Sequence, residues 1–391
     1  MFDAIPVVST VVGHTLDNDF IINDKNDSDC LPTSDASISH CRSRDRGTAR
    51  ADATAPVRSR TTSSNKQYEN IIIAITGNNH YIRNVIIKPN ITCHFNRLFV
   101  ILVTSYVGHV ELRSAHRRAM SADRLKSMNA TRIFLLAKIP KKEKYITQEA
   151  IIDESDIFGD ILQGGFTEDY RNLTHKHLMG LQWASTFCNT SFILKVDDDI
   201  VFNLNQSYNF MTKIKDEKNV LIGYMLNNTL PRRNKHNKWY VTQKEYSGNI
   251  YPPYLSGWYY IMSSNIASLI TQEAPYHYQF WIDDIFVTGI LSEFLGIKLK
   301  HLPKDYWLEY YELLECCLKD MLIKSIQCEY VVGPNGGRNE LIVEFNDTLE
   351  KCKRKNCTLR SDNQPLNKVC INYRERTIFG DGKAVIQNVK L

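Results

Sequence analysis

The chain has 391 residues, of which 43% are hydrophobic and 23% are charged, and its formal net charge is +5. This composition is that of an ordinary globular protein, and the mild charge argues against a nucleic-acid-binding protein. The length allows one large domain or two smaller ones. The longest apolar runs, such as residues 98–103, are far shorter than the ~20 residues that a membrane-spanning helix needs.

The N-terminal residues 1–66 are rich in Ser, Thr, Asp and Arg and have few periodic apolar positions. This composition predicts a disordered tail or stem. The first residues have no apolar core and carry Asp3, Asp17 and Asp19, so they do not resemble a signal peptide.

Two other features indicate a secretory protein. The chain has ten cysteines, which is many for a reduced cytosolic protein, and nine Asn-x-Ser/Thr acceptors where about four are expected by chance. Six of the cysteines come late in the chain, at Cys316, Cys317, Cys328, Cys352, Cys357 and Cys370. They predict disulfides, whose pairing the spacing does not determine, in a C-terminal extension (316–391) that packs on a domain spanning 67–315. We expect the N-terminal membrane anchor of such a protein to be missing from this translation.

Strands and helices alternate along the domain. The apolar and periodic segments predict strands at 98–104, 133–137, 191–196 and 220–225, and helices at 111–128, 141–152, 172–187 and 204–214. Gly159, Gly164 and Gly165 predict a loop. This order predicts an α/β fold with a largely parallel central sheet flanked by helices.

Three aspartates follow the strand at 191–196. On an extended chain Asp197 and Asp199 share one face, and Asp198 points to the other. Neighbouring carboxylates repel each other unless a cation lies between them, and Mg²⁺ or Mn²⁺ carrying a diphosphate suits them. A charged turn after a buried strand is the alternative. Because ligands of such sheets bind beyond the carboxyl ends of the strands, the triplet is a candidate site.

A basic run lies further along the chain. It consists of Arg232, Arg233, Lys235 and Lys238. Such a run suits an anionic ligand, and a solvated loop is the alternative.

Several further blocks occur in a fixed order. They are Arg113 with Arg117, Glu154-Ser-Asp-Ile-Phe-Gly-Asp-Ile-Leu162, Phe166, Asp169-Tyr170, Asn172-Leu-Thr174, Lys176, Trp183, Cys188, Lys195-Val-Asp-Asp-Asp199, Lys238-Trp-Tyr-Val241, Tyr251-Pro-Pro-Tyr-Leu-Ser-Gly257, and Asp283-Asp284-Ile285 with Gly289. In order and spacing, residues 98–297 resemble glycosyltransferase family 31, the β-1,3-galactosyl- and β-1,3-N-acetylglucosaminyltransferases.

The resemblance implies a GT-A-like fold, in which a nucleotide-binding α/β half is fused to an acceptor-binding half. It implies an inverting hexosyltransferase that uses Mn²⁺ and moves galactose or N-acetylhexosamine from a UDP-sugar to a glycan on a glycoprotein or glycolipid, with β-1,3 linkage. It also implies a type II Golgi membrane protein whose catalytic domain is lumenal, held by an N-terminal anchor.

The same resemblance implies roles for single residues. Asp199, supported by Asp197, is the implied metal ligand, and Asp284 is the implied catalytic base. His301 is a candidate third metal ligand, with a structural histidine as the alternative. The donor-binding residues implied are Arg113, Arg117, Lys195, Asp197, Asp198 and Gly257. From local sequence alone, the Asp283–Asp284 pair is equally a helix cap, and the two arginines are equally solvated helix charges.

The chain departs from the family pattern at several positions. Ala119-Met120 stand where the family has Thr-Trp, Gly165 stands where it has Asp, and Tyr259 stands where it has a second glycine. The family histidine expected near 326–330 is absent. These departures support an alternative function, a catalytically inactive partner subunit or chaperone of an active glycosyltransferase.

Overall fold

The computed structural model describes residues 80–91, 93, 97–303 and 311–370. The tail predicted at residues 1–66 lies outside these ranges. The strands are β1 (Val85–Ile87), β2 (Arg97–Thr104), β3 (Ala130–Lys138), β4 (Ile161–Thr167), β5 (Thr190–Asp197), β6 (Ile200–Phe202), β7 (Leu221–Leu226), β8 (Tyr254–Ser263), β9 (Lys300–His301) and β10 (Val332–Pro334). No helix among the described residues is long and apolar enough to cross a membrane.

Ten α-helices connect the strands in the described part of the chain. They are α1 (Val110–Ala119), α2 (Ala122–Ser127), α3 (Gln148–Phe158), α4 (Leu173–Phe187), α5 (Leu204–Lys213), α6 (Ser264–Glu273), α7 (Leu291–Phe294), α8 (Tyr311–Lys319), α9 (Asn339–Arg354) and α10 (Leu366–Val369). Short 3₁₀ turns form at Tyr170–Asn172 and Ala274–Tyr276, and π-helical turns form at Ile285–Ile290 and Asp320–Lys324.

Eight strands form the central sheet, in the order β1-β4-β3-β2-β5-β8-β7-β9. Four of the seven pairings are parallel, namely β2 with β3, β2 with β5, β3 with β4, and β7 with β9. This architecture confirms the predicted α/β class with a largely parallel sheet.

Alternation along β2 explains the two layers of the core. Phe99, Ile101 and Val103 pack into the cluster that contains residues of α1 and α9. Val100 and Leu102 pack into the opposite cluster with residues of α4 and α6. A strand that is buried on both faces reads as a continuous apolar run, which is why the sequence predicted it.

Three predicted elements need correction. The helix predicted at 141–152 is α3, which begins only at Gln148 because the Thr147 side chain accepts a hydrogen bond from the Ala150 N–H. Gly164 and Gly165 lie in β4, where a Cβ at Gly164 would meet the Phe166 ring at 2.4 Å. The helix predicted at 111–128 is two helices, because α1 ends at Ala119 and a Ser121 cap starts α2.

Residues 311–370 pack on the acidic end of β5. Strand β10 pairs antiparallel with β6, and α9 packs against α1. The Asn335 N–H donates a 2.9 Å hydrogen bond to the carbonyl of Asp199. Disulfides join Cys316–Cys370, Cys317–Cys328 and Cys352–Cys357, and a fourth joins Cys93–Cys188. The division of the chain into a domain and an extension stays a prediction.

Candidate active site

Asp198 is the structural member of the acidic triplet. Strand β5 ends at Asp197, and Asp198 and Asp199 form a turn before β6. The buried Asp198 carboxylate lies 2.9 Å from His109 Nδ1, and its backbone carbonyl accepts a 2.8 Å hydrogen bond from His116 Nε2. Although burial alone would raise it, the hydrogen bond and charge of His109 lower the pKa of Asp198. Asp198 therefore fixes the turn to α1 and to the residue before it, and its contact with the donor stays a prediction.

Asp199 is the member of the triplet that takes part in none of the ion pairs among the described residues, in contrast to Asp197 and Asp198. Burial, together with the charges of Asp197 and Asp198, raises the pKa of Asp199 to about 7, although the charge of His109 opposes this shift. A carboxylate held this way is stabilised by a hard cation, so the donor chemistry of Asp199, with Asp197 beside it, fits the implied Mn²⁺.

Lys195 connects the acidic turn to β8. Its ammonium, on a side chain only 2% exposed, lies 2.6 Å from Asp197 Oδ1 and 2.5 Å from the carbonyl oxygen of Gly257. The Gly257 N–H in turn donates a 3.2 Å hydrogen bond to Asp284 Oδ2. Asp197 at the end of β5 and Asp284 are thus joined through the Lys195 ammonium and the backbone N–H and carbonyl of Gly257. The Lys195 side chain is therefore held inside the protein, and its contact with the donor stays a prediction.

The predicted pair Asp283–Asp284 begins the π-helical turn at Ile285–Ile290. Asp284 is its capping residue, since its Oδ1 accepts a 2.8 Å hydrogen bond from the Ile285 N–H. Asp283 does not cap but lies 2.9 Å from His177 Nδ1. Burial and the charge of Asp283 raise the pKa of Asp284. At Asp283, burial would raise the pKa. The hydrogen bond from His177 and the charge of Lys195 outweigh burial, and the pKa of Asp283 is lowered.

Aromatic and cationic side chains form a wall beside these carboxylates. The Tyr170 hydroxyl accepts a 2.9 Å hydrogen bond from Trp239 Nε1, and the Lys238 ammonium lies 4.4 Å from the centroid of the Tyr170 ring. Burial lowers the pKa of Lys238, against the opposing charges of Asp199 and Asp197. Burial and the charges of Asp283, Asp284 and Asp197 raise the pKa of Tyr170. The charges of Asp197 and of Asp284 thus act on the same side chain, Tyr170, so the acidic turn and Asp284 lie near each other.

The sequence missed two members of this site. Lys238 was quoted in the basic run and in the block at 238–241 without a role at the site, and His177 belonged to no quoted block. The residues next to Lys238 and His177 in the sequence do not indicate a site. Both are distinguished only by side chains that are distant in the sequence and that the fold brings into contact with them.

The two arginines of α1 lie in the core. Arg113 is 0% exposed, and its Nε and Nη2 lie 2.8 and 2.7 Å from the carboxylate of Glu154. Arg117 binds the same carboxylate at 2.7 Å and also Asp160 at 2.7 Å. The spacing correctly indicated a shared helix face, but that face is turned to α3 and the sheet. In this arrangement both guanidinium groups bind carboxylates of the protein, and their contact with the nucleotide stays a prediction.

His301 does not complete a metal shell. It is exposed on β9, which the sheet separates from β5 by β8 and β7, and its Nδ1 lies 2.6 Å from the Leu302 carbonyl. The single cluster of three candidate ligands among the described residues is Cys316, Asp320 and Cys370, whose two sulfurs are bonded to each other. Among the predicted metal ligands in the described part of the chain, Asp199 and Asp197 thus lie together, and His301 lies apart from them.

The bulky departures from the family pattern are core residues. Tyr259 is 1% exposed, and its hydroxyl lies 2.8 Å from the Ser207 hydroxyl. Met120 is likewise buried at the end of α1. Both side chains belong to the hydrophobic cluster on the face of the sheet that α1 covers.

Comparison with known proteins relates this chain to galactosyltransferases. Residues 111–303 match the family model described as Galactosyltransferase. Mouse beta-1,3-galactosyltransferase 1 is 31% identical over 242 residues, which cover 60% of this chain and 72% of that protein.

Two human proteins are also similar. Beta-1,3-galactosyltransferase 2 is 29% identical over 255 residues, covering 64% of this chain and 60% of that protein. UDP-GalNAc:beta-1,3-N-acetylgalactosaminyltransferase 1 is 29% identical over 214 residues, covering 54% of this chain and 64% of that protein. The chain thus spans less than two thirds of the length of each of these two relatives.

Proposed function

We propose that this chain, which belongs to glycosyltransferase family 31, is an inverting hexosyltransferase that moves galactose or N-acetylhexosamine from a UDP-sugar to a glycan acceptor in β-1,3 linkage. The observation that carries the proposal is the connection of Asp197 to Asp284 through Lys195 and Gly257. It supports a single cleft in which one set of carboxylates serves the donor and another serves the acceptor. The relatives are named for different donor sugars, so the donor stays open between them.

Asp284 is the proposed general base. As the acceptor oxygen bonds to the anomeric carbon, its proton passes to Asp284 and the bond from that carbon to UDP breaks. The N–H groups of Ile285 and Gly257 orient the carboxylate. Its raised pKa makes it a stronger base than an ordinary aspartate, and base catalysis of this kind contributes ~10²–10⁴-fold.

Asp199 and Asp197 would hold Mn²⁺. A bound cation supplies Lewis-acid stabilisation of the departing UDP. Lys195 holds one oxygen of Asp197, which leaves Asp199 as the less encumbered ligand. Lys238, which lies near both aspartates, adds a positive charge for the diphosphate.

We also propose a Golgi lumenal location, with a glycoprotein or glycolipid acceptor and attachment through an N-terminal anchor. The four disulfides support an oxidising compartment. The inactive-subunit alternative loses two of its three supports, because Met120 and Tyr259 are core residues, and keeps the absent family histidine.

The test uses purified full-length chain with Mn²⁺ and three donors, UDP-galactose, UDP-N-acetylglucosamine and UDP-N-acetylgalactosamine. The acceptors are methyl glycosides of galactose and of N-acetylglucosamine. We expect turnover with one donor. Asp284→Asn lowers kcat by ~10²-fold or more with unchanged UDP affinity, because the base is lost and the donor site is kept. Asp199→Ala abolishes the Mn²⁺-dependent part of UDP binding.

Asp156→Asn is the matched control, because it makes the same chemical change at an exposed position of α3. The proposal is wrong when wild type turns over no donor and Asp199→Ala binds UDP as tightly as wild type. A chain that binds no UDP but copurifies with an active glycosyltransferase supports the inactive-subunit alternative.

A further inference from the structure

A buried row of three polar side chains lies behind the cleft. His177, on α4, is 0% exposed. Its Nδ1 lies 2.9 Å from Asp283 Oδ2, and its Nε2 is hydrogen-bonded to the hydroxyl of Tyr260 on β8. Tyr260 is also 0% exposed. The row therefore runs from the sheet, through α4, to the residue directly before Asp284.

The direction of these hydrogen bonds is fixed by chemistry. An ionised carboxylate only accepts, so His177 Nδ1 carries a proton and donates it to Asp283. Burial lowers the pKa of His177, which keeps the ring neutral. Its Nε2 therefore accepts, and Tyr260 donates, since burial raises the pKa of Tyr260 well above its ordinary value. A neutral histidine held at both nitrogens has one tautomer and one orientation.

Asp283 has no equivalent partner elsewhere in the described cleft. The nearby cation is Lys195, but its ammonium is hydrogen-bonded to Asp197 and the Gly257 carbonyl. The hydrogen bond from His177 is thus the direct contact that keeps Asp283 ionised and turned toward α4. With Asp283 held there, its charge stands beside Asp284, while the Asp284 carboxylate keeps its own contacts to Ile285 and Gly257.

We propose that His177 is a positioning residue for the transfer reaction: held by Tyr260, it fixes Asp283 as a charged neighbour of the general base Asp284. The inference rests on the proposed function. Other titratable groups surround the two aspartates, Asp283 and Asp284. They are Lys195 and Asp197 of β5, Tyr260 and Tyr254 of β8, Tyr170 of the 3₁₀ turn, His177 of α4, and Tyr251.

Two isosteric substitutions separate the two hydrogen bonds of His177. His177→Asn keeps a donor near the position of Nδ1, and so keeps the contact to Asp283. His177→Gln keeps a polar atom near the position of Nε2, and so keeps the contact to Tyr260. His177→Phe removes both contacts and retains the ring volume.

We expect His177→Gln and His177→Phe to lower kcat by about tenfold or more, within the range of a weakened general base, with the KM for UDP-sugar unchanged. Without its donor, buried Asp283 takes up a proton more easily, and Asp284 loses the neighbouring charge that raises its pKa. The acid limb of kcat/KM against pH therefore moves to lower pH in these two variants. His177→Asn keeps the limb of wild type and restores most of kcat.

The outcomes separate this inference from the proposed function. If wild type is active, and His177→Gln and His177→Phe keep its kcat and the acid limb of its pH profile, the positioning role is wrong. The proposed transferase function is unaffected by that result. Equal losses of kcat in the Asn, Gln and Phe variants, with parallel losses of thermal stability, show a packing role only and also overturn it. Equal turnover by wild type and Asp284→Asn overturns the proposed base itself. If His177→Phe does not fold, the Asn–Gln comparison carries the test.

Discussion

Asp284 shows how burial and a neighbouring charge set the basicity of one carboxyl group. It accepts two backbone hydrogen bonds, and both lower its pKa. Burial and the negative charge of Asp283 act in the opposite direction and outweigh them. At the adjacent position, His177 and Lys195 produce the reverse result, and the pKa of Asp283 is lowered. Two adjacent aspartates thereby acquire different protonation behaviour, which is typical of groups with different chemical tasks.

The raised pKa of Asp284 predicts a pH dependence. The proposed base works only when deprotonated, and a raised pKa means that it is protonated at a higher pH than an ordinary aspartate, whose pKa is near ~3.9. We therefore expect kcat/KM to fall with acidification from about neutral pH and to level off on the alkaline side. The measurement is kcat/KM between about pH 5 and 9 with metal saturating, and UDP affinity across the same range is the control. A rate that stays constant down to about pH 5 contradicts the assignment.

At the scale of elements, α1 is attached to α3 and the sheet by ion pairs rather than by apolar contacts alone. Glu154 accepts hydrogen bonds from both Arg113 and Arg117, and Asp160 accepts from Arg117 and Arg132. These groups are buried or nearly so, so each charge depends on its partner. Helix α1 also carries His116, which is hydrogen-bonded to the backbone carbonyl of Asp198. By fixing the position of α1, the ion pairs therefore also help to fix the position of the acidic turn.

Removing the shared carboxylate tests that network. Glu154→Gln leaves Arg113 without a counter-charge in the core, and breaking a buried pair on one side costs about 3–5 kcal/mol. We expect the free energy of unfolding in urea to fall by that amount. Asp156→Asn, on the exposed side of the same helix, should change it by no more than about 0.5 kcal/mol. Equal unfolding midpoints for the two variants would show that the arginines find other partners.

The sequence predicted the elements whose pattern is local and missed those that depend on distant partners. The apolar run of β2 and the periodicity of α4 were sufficient to predict both elements. Residues 141–147 have helix-forming composition but precede the Thr147 cap, so propensity alone misplaced α3. The motif order singled out Asp197, Asp199 and Asp284, and Lys195 and Gly257 connect Asp197 with Asp284, while their roles stay predictions. It did not indicate that Arg113 is buried against Glu154 or that His177 contacts Asp283, because those contacts join residues 41 and 106 positions apart.

At the scale of the whole molecule, the C-terminal residues contribute to the site without supplying a reacting group. Strand β10 pairs with β6 directly after the acidic turn, and the Asn335 N–H binds the carbonyl of Asp199. Three disulfides lie within residues 311–370, where α9 covers α1. The position of the proposed metal ligand therefore depends on a segment more than 100 residues further along the chain.

The disulfides should differ in their effect on stability according to the loops that they close. Cys93–Cys188 joins residues 95 positions apart, whereas Cys352–Cys357 joins residues 5 positions apart. The entropy that a disulfide removes from the unfolded chain grows with the logarithm of the loop length. The disulfide that closes the longer loop should therefore stabilise the fold by about 2–3 kcal/mol more than the one that closes the shorter loop. We expect the double variant Cys93→Ser/Cys188→Ser to lose that much more unfolding free energy in urea than Cys352→Ser/Cys357→Ser. Both variants are measured under non-reducing conditions. Equal losses of unfolding free energy would mean that native packing, rather than restriction of the unfolded chain, determines what each disulfide contributes to stability.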